Sequence, residues 1–275
     1  MRWGFRHNHH LPLAKHLWLL TSLALGNPGC VRTTYNLATQ QEEYTVTSTD
    51  TEVEMGRKLA KGVTAELALV DEEPIQGRVR TIGGRLVAVC DRQELVYSFA
   101  VVQDSEVNAF ALPGGYVFVN EGLVKKAGSD DELASVIAHE LAHITARHAV
   151  KRYETSLGAH LLQLASLAAS RQGAATRGLG VAVQAARLAY ARQDELEADR
   201  IAVRYLKRAG FNPTAMITML ERLRELQSDK SPYLPRGVVR PHYAMTHPFV
   251  PDRIRVIKEA LFGVADYVDY LNVAE

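Results

Sequence analysis

Residues His139, Glu140 and His143 spell H-E-x-x-H and carry the clearest chemistry in this sequence. At about 100° per residue, His139 and His143 project in nearly the same direction on a helix, one turn apart. Two imidazoles so placed bind one zinc ion. Glu140 reaches the same side, where it takes a proton from water at the metal as general base. The chain has 10 histidines, so chance alone produces such a motif roughly twice in a hundred sequences, and its surroundings must support it. They do: neither proline nor glycine interrupts the motif, and a helix start precedes it. His148 fits poorly as a further ligand. It lies about 140° around the helix from His143, on the face of Leu141 and Ile144. The longer H-E-x-x-H-x-x-G-x-x-H pattern needs glycine and histidine where this chain has Ala146 and Ala149. His148 is read as a hydrogen-bonded core or helix-end histidine.

A catalytic zinc site takes three protein ligands and keeps one position open. The segment from Asp194 to Asp199 is the best source of the third. Glu195 and Asp199 stand one turn apart, and Ala202, Val203 and Leu206 continue their face. Two carboxylates thus occupy an otherwise apolar stripe, where each needs a cation or donors. Zinc satisfies Glu195, and Asp199 can accept the free ring N–H of a zinc histidine, fixing its tautomer. Glu197 points the other way, toward solvent. The alternative is a pair of ordinary ion pairs with Arg187, Arg192 or Arg200.

The elements that position these groups are legible in outline. Ser129 and Glu132 form a capping-box pattern at the start of the metal helix. Leu133, Ile137, Leu141 and Ile144 mark its core face. Upstream, ordered structure is expected from Val53, with a helix through Leu59, Val63 and Leu67 and a second over Ile75 to Cys90. Strand signals follow at Leu95 to Val102, Glu106 to Leu112 and Tyr116 to Val119, the last after a Pro113-Gly114-Gly115 turn. From Leu123 onward the pattern is helical. Leu157 to Ala189 reads as a helical hairpin, because Arg171, Arg177 and Arg187 interrupt its apolar run. The expected fold class is α+β, mostly helical, with a small sheet beside the H-E-x-x-H helix.

Composition bounds the rest. The 275 residues suffice for one large domain, and 47% hydrophobic with 23% charged residues is ordinary globular usage. Lys+Arg 32 against Asp+Glu 31 leaves a formal charge of +1, no basis for nucleic-acid binding. The two cysteines, Cys30 and Cys90, are too few for a disulfide scaffold. Residues 1–29 read as an export signal: Arg2, Arg6 and Lys15 precede the apolar stretch Leu17 to Leu25, with Ala24 and Gly26 at cleavage-site spacing. A second reading is a lipoprotein signal with Cys30 acylated, although Asn27 stands where an aliphatic residue is usual. The chain is thus expected to be periplasmic, or membrane-associated through an N-terminal lipid, with no transmembrane helix in its mature part. Residues 30–50, rich in Thr, Ser and Gln, read as a flexible tether. The metal domain is expected over 51–265, and 266–275 form a C-terminal tail.

Taken together, these motifs resemble the M48-type zinc metallopeptidases, a gluzincin-like family. The similarity rests on His139-Glu140-x-x-His143, Glu195-x-x-x-Asp199, the run Asn108 to Tyr116 leading into Gly122-Leu123, and Thr246-His247-Pro248 followed by Arg253. It covers about Val53 to Leu261 and is closest to the exported, soluble branch. The resemblance implies a zincin-like fold, one Zn2+ per chain with Glu195 as third ligand, and Asp199 in support, in agreement with the helix faces.

The strand before the metal helix suits a substrate. Free N–H and C=O groups at a sheet edge let an extended polypeptide pair beside the zinc. Asn108, Ala109, Phe110 and Ala111 would then contact it, and main-chain pairing reads little side-chain identity. An ordinary internal hairpin is the competing reading. His247, on a proline-rich loop, is expected either to stabilise the oxyanion or to fill the open metal position at rest. Arg253 and Tyr243 are further donors for that oxyanion. The activity expected is a zinc metalloendopeptidase acting on unfolded or misassembled exported proteins. A zinc-stabilised chaperone-like binder and a zinc exopeptidase are the alternatives.

Overall fold

Two serines start helices in the way their side chains dictate. Ser48 Oγ accepts from the Thr51 N–H and Ser129 Oγ from the Glu132 N–H, at 3.2 and 3.1 Å, each satisfying a donor that the first helical turn leaves unpaired. These caps open α1 (Thr49–Glu66) and α4 (Asp130–Thr145) in the computed structural model, which describes residues 32–156, 192–228, 246–248 and 250–263. Between them lie α2 (Glu73–Val87), β3 (Ser98–Val102), β4 (Ala109–Leu112), β5 (Tyr116–Asn120) and α3 (Glu121–Lys126). Beyond α4 come α5 (Arg192–Ala209), α6 (Ala215–Ser228) and α7 (Val250–Phe262).

Helix α4 is the central element. Every residue from Glu132 to Thr145 is buried, because α2, α5, α6 and β4 all pack on it. The apolar stripe expected from the sequence therefore underestimates the burial: Ala134, Ala138, Ala142 and Ala146 fill the other faces and let neighbours approach closely.

The sheet has the order β3–β5–β4, with β3 parallel and β4 antiparallel to β5. Alternation along the strands separates two apolar layers. Val101, Ala109, Ala111, Val117 and Val119 join the main core with α4, while Val102, Leu112 and Phe118 meet Ala60 and Val63 of α1. Phe110 stacks on Phe118 in that second layer, with ring centroids 5.3 Å apart. The turn between β4 and β5 needs glycine: Gly114 and Gly115 have φ of 74° and 103°, where a side chain is strained.

The tether expected over 30–50 is ordered from Arg32 onward. Strands β1 (Arg32–Asn36) and β2 (Gln41–Thr45) form an antiparallel hairpin, and α1 begins at Thr49 instead of Val53. An apolar pattern search misses this hairpin because polar contacts hold it. Asn36 Nδ2 donates to the Thr145 carbonyl at 3.1 Å, Lys151 Nζ reaches Glu43 at 2.7 Å, and Glu154 accepts from Thr45 and Thr47. The export signal, the helical hairpin over 157–189, Tyr243 and the C-terminal tail lie outside the described residues. Among the described residues, no helix is long and apolar enough to cross a membrane.

Candidate active site

The turn of α4 that carries His139 and His143 faces the first turns of α5, and the loop before α7 closes over both. His139 Nε2 and His143 Nε2 lie 3.0 Å apart. Glu195 from α5 adds Oε2 at 3.4 Å from His139 and Oε1 at 3.5 Å from His143. His247 Nδ1 completes the group, 3.1 Å from Glu195 Oε1 and 3.4 Å from His139 Nε2. All four side chains are buried, with one ligating atom from each within 4.8 Å of the others.

These separations match a metal. A tetrahedral zinc with bonds of about 2.0–2.1 Å places its ligand atoms roughly 3.3 Å apart. Two imidazoles, a carboxylate and a third imidazole are also the donor types zinc prefers. Without an ion, three imidazole nitrogens and a carboxylate would crowd one another in a site that excludes solvent.

The comparison with known proteins agrees with the geometry. A family model, described as peptidase family M48, matches residues 74–261. The chain belongs to peptidase family M48. Its relatives include the beta-barrel assembly-enhancing protease of Yersinia pestis, 32% identical over 75% of this chain and 43% of that protein. The Escherichia coli K12 protein of the same name is 31% identical over 74% of this chain and 42% of its own length. The mitochondrial metalloendopeptidase OMA1 of Schizosaccharomyces pombe is 32% identical over 78% and 62% of the two chains. The chain thus spans less than half the length of the beta-barrel assembly-enhancing proteases it matches. Its fold is the α+β zincin-like M48 domain, and zinc is the metal this family's site uses.

Around these four side chains, the outer contacts set the protonation of each ring. Asp199 Oδ1 accepts from His139 Nδ1 at 2.9 Å, which leaves the Nε2 lone pair for the metal. Arg253 clamps the same carboxylate through Nε and Nη2, each at 2.8 Å, and its Nη1 lies 3.1 Å from Glu195 Oε2. Burial and the Arg253 charge oppose protonation of His139, yet Asp199 and Glu195 outweigh them and carry it to about 9 in the metal-free protein. His143 goes the opposite way, because burial holds it well below the ordinary histidine value. Burial also works against ionised Glu195, but His247 and Arg253 hold its carboxyl well below the usual range. A site that keeps one carboxylate ionised and one imidazole neutral is set for a cation.

Glu140 stands apart from this network. Both of its carboxylate oxygens are buried without a hydrogen bond among the described residues, and His247 Nε2 is 3.3 Å from Oε1. Burial raises the Glu140 carboxyl above its usual range, against the pull of His247 and His139. A carboxylate buried without donors is costly, and groups kept in that condition cluster at functional sites.

The structure brings His139, Glu140, His143, Glu195, Asp199, His247 and Arg253 together, and it changes the reading of Arg253 and of Glu197. Arg253 is committed to Asp199 and Glu195, so it braces the ligands and does not point as a free donor toward an oxyanion. It is also the partner of Asp199; among the arginines weighed earlier, Arg192 instead pairs with Asp252 at 2.8 Å. Glu197 is half-buried instead of fully solvated, and its carboxylate lies 3.1 Å from His148 Nε2. His148 is the buried, hydrogen-bonded histidine expected, but its partner is His143, with the two Nδ1 atoms 2.8 Å apart. Strand β4 does lie at the sheet edge against α4. Asn108 is joined to the His247 loop through Thr246 Oγ1, 3.4 Å from Asn108 Oδ1.

Proposed function

We propose that this chain is a zinc metalloendopeptidase that hydrolyses peptide bonds in unfolded or misassembled exported proteins. The observation that carries the proposal is the buried cluster of His139, His143, Glu195 and His247, its ligating atoms within 4.8 Å of one another, with the carboxylate of Glu140 beside it. His139, His143 and Glu195 would hold zinc. When bound, zinc supplies Lewis acidity to a water and to the scissile carbonyl.

The chain's own groups do the remaining work. Glu140 takes the proton of the attacking water and later delivers it to the leaving amine, a double duty suited to a carboxyl whose pKa burial has raised. Asp199 fixes the His139 tautomer, and Arg253 keeps Asp199 and Glu195 ionised and in register. His247 sits against Glu195 and His139 at rest, would move aside when substrate enters, and its ring would then be a donor for the oxyanion. Substrate pairs with the free edge of β4, its backbone meeting Asn108, Ala109, Phe110 and Ala111. Thr246 touching Asn108 supports a coupling between that edge and the His247 loop.

The relatives' printed names, proteases that enhance β-barrel assembly, support a substrate among proteins still being assembled. The signal-like pattern of residues 1–29 supports export to the periplasm, and Cys30 supports a lipid-anchored form of the same protein. The test is digestion of casein by the zinc-loaded full chain. Glu140→Gln should keep stoichiometric zinc and lose at least about a hundredfold in rate, and the wild-type products should carry internal cuts. Undiminished turnover by zinc-loaded Glu140→Gln overturns the mechanism, and products trimmed only at their ends overturn the endopeptidase assignment.

A further inference from the structure

We infer that His148 is a positioning residue for the metal centre, holding His143 in the ring orientation and tautomer that present Nε2 to zinc. The inference rests on the zinc site proposed above and adds a second outer contact to it. His143 Nε2 faces the ligand cluster, so its Nδ1 carries the hydrogen, and that hydrogen needs an acceptor in a buried site. His148 Nδ1 is 2.8 Å away. It serves as acceptor only if His148 carries its own hydrogen on Nε2. Glu197, 3.1 Å from that nitrogen, receives it, and Asp194 Oδ1 is 3.9 Å from the same atom. The chain Glu197–His148–His143 therefore has one consistent direction of donation, ending in a free lone pair at the metal. Asp199 does the same for His139 in a single step.

The backbone is bent to allow this contact. On a continuous helix, His148 would stand about 140° from His143 and could not reach it. Helix α4 instead ends at Thr145, and Arg147 adopts a left-handed conformation with φ of 57°. Glycine is the usual residue there, and an arginine is strained by roughly 1 kcal/mol or more. Its side chain compensates: Nε donates to the buried Glu52 Oε2 at 3.0 Å and Nη2 to the Thr47 carbonyl at 2.7 Å. The turn then starts a new helical segment over residues 148–156 and folds the His148 ring back onto His143, with centroids 4.9 Å apart. Backbone strain, its compensating arginine and a buried imidazole all serve one contact with a metal ligand.

The competing account is that His148 merely fills space between α4 and α5. Two substitutions separate the accounts by the zinc dissociation constant of the full chain, measured by chelator competition. His148→Leu keeps the apolar volume and removes the acceptor, and zinc affinity should fall roughly 10–100-fold. His148→Asn packs worse but leaves an oxygen near the Nδ1 position, and should recover most of that loss. Glu197→Leu, at a half-buried surface position, should weaken zinc severalfold through His148 and carries the same test should His148→Leu not fold. Wild-type affinity in both leucine variants, or Asn binding zinc more weakly than Leu, overturns the inference. Absence of zinc binding by the wild-type chain would instead overturn the metal site itself.

Discussion

Arg253 holds Asp199 with two parallel hydrogen bonds of 2.8 Å each, between side chains that are 1% and 0% exposed. The pair links α7 to α5 directly behind His139, and the same guanidinium reaches Glu195. Removing one member leaves buried charge without compensation, which costs about 3–5 kcal/mol. Arg253→Ala should therefore lose about that much stability in denaturant titration and bind zinc more weakly, since Asp199 and Glu195 are then unbraced. Arg253→Lys should recover only part, because an ammonium cannot span both carboxylate oxygens. Wild-type stability in Arg253→Ala would show that the clamp contributes nothing.

Metal removal should expose the opposed shifts of the two α4 histidines. His139 in the metal-free fold rises from 6.5 to about 9. Its contribution to stability is complete below pH 6.5 and is lost as pH climbs through 9. His143 is depressed, so its unfolded form binds the proton more readily and stability is lost as pH falls below 6.5. The chelated protein should then be most stable near pH 6.5 and decline on both sides. The zinc-loaded protein should have a higher unfolding midpoint that rises with free zinc. Thermal scans of the chelated chain from pH 5 to 9 check this, and a midpoint that stays level from 6.5 to 9 contradicts it.

What the sequence disclosed follows from how local each signal is. His139, Glu140 and His143 share one helical turn, and Glu195 and Asp199 share another, so helical periodicity alone places each set on one face. The three strands and their Pro-Gly-Gly turn were legible for the same reason. The hairpin over β1 and β2 was not, because its inward groups are Asn36, Glu43 and Thr45, whose partners are more than a hundred residues away in the chain. That His148 is a hydrogen-bonded core histidine is legible, but its face is not, because the helix ends at Thr145. No glycine warns of the left-handed turn at Arg147, and the compensating partner, Glu52, is 95 residues upstream. The role of Arg253 was misjudged because a long side chain's target depends on which helices pack together.

Two glycines of α1 should respond in opposite ways to alanine. A Cβ on Gly56 would lie 1.8 Å from the Pro113 carbonyl oxygen, whereas one on Gly62 meets nothing within 4 Å. Gly56→Ala must push the helix away from the turn between β4 and β5, at a cost of about 1–3 kcal/mol or more. Gly62→Ala only removes backbone freedom from the unfolded chain and should stabilise by roughly 0.5–1 kcal/mol. Urea midpoints of the two variants should fall on either side of the wild type. Because the Gly56 contact bears on the turn after β4, that variant should also cleave casein more slowly than Gly62→Ala does.

The hairpin should come loose when Glu154 is lost. Its Oε1 accepts from Thr45 Oγ1 at 2.7 Å, from the Val46 N–H at 3.1 Å and from the Thr47 N–H at 2.8 Å. Burial opposes the ionised form, but these donors prevail and hold the Glu154 carboxyl below its usual value. A depressed carboxyl contributes stability that is present above its unfolded value and lost as pH falls through the folded one. Amide exchange in residues 32–45 should therefore be slow near neutrality and, after correction for intrinsic rates, lose protection in acid. Glu154→Ala should be poorly protected at both pH values, while its zinc content stays that of the wild type, since the hairpin supplies no ligand. Equal protection in variant and wild type at neutral pH would mean that the remaining contacts, Asn36 with Thr145 and Glu43 with Lys151, suffice to hold the hairpin down.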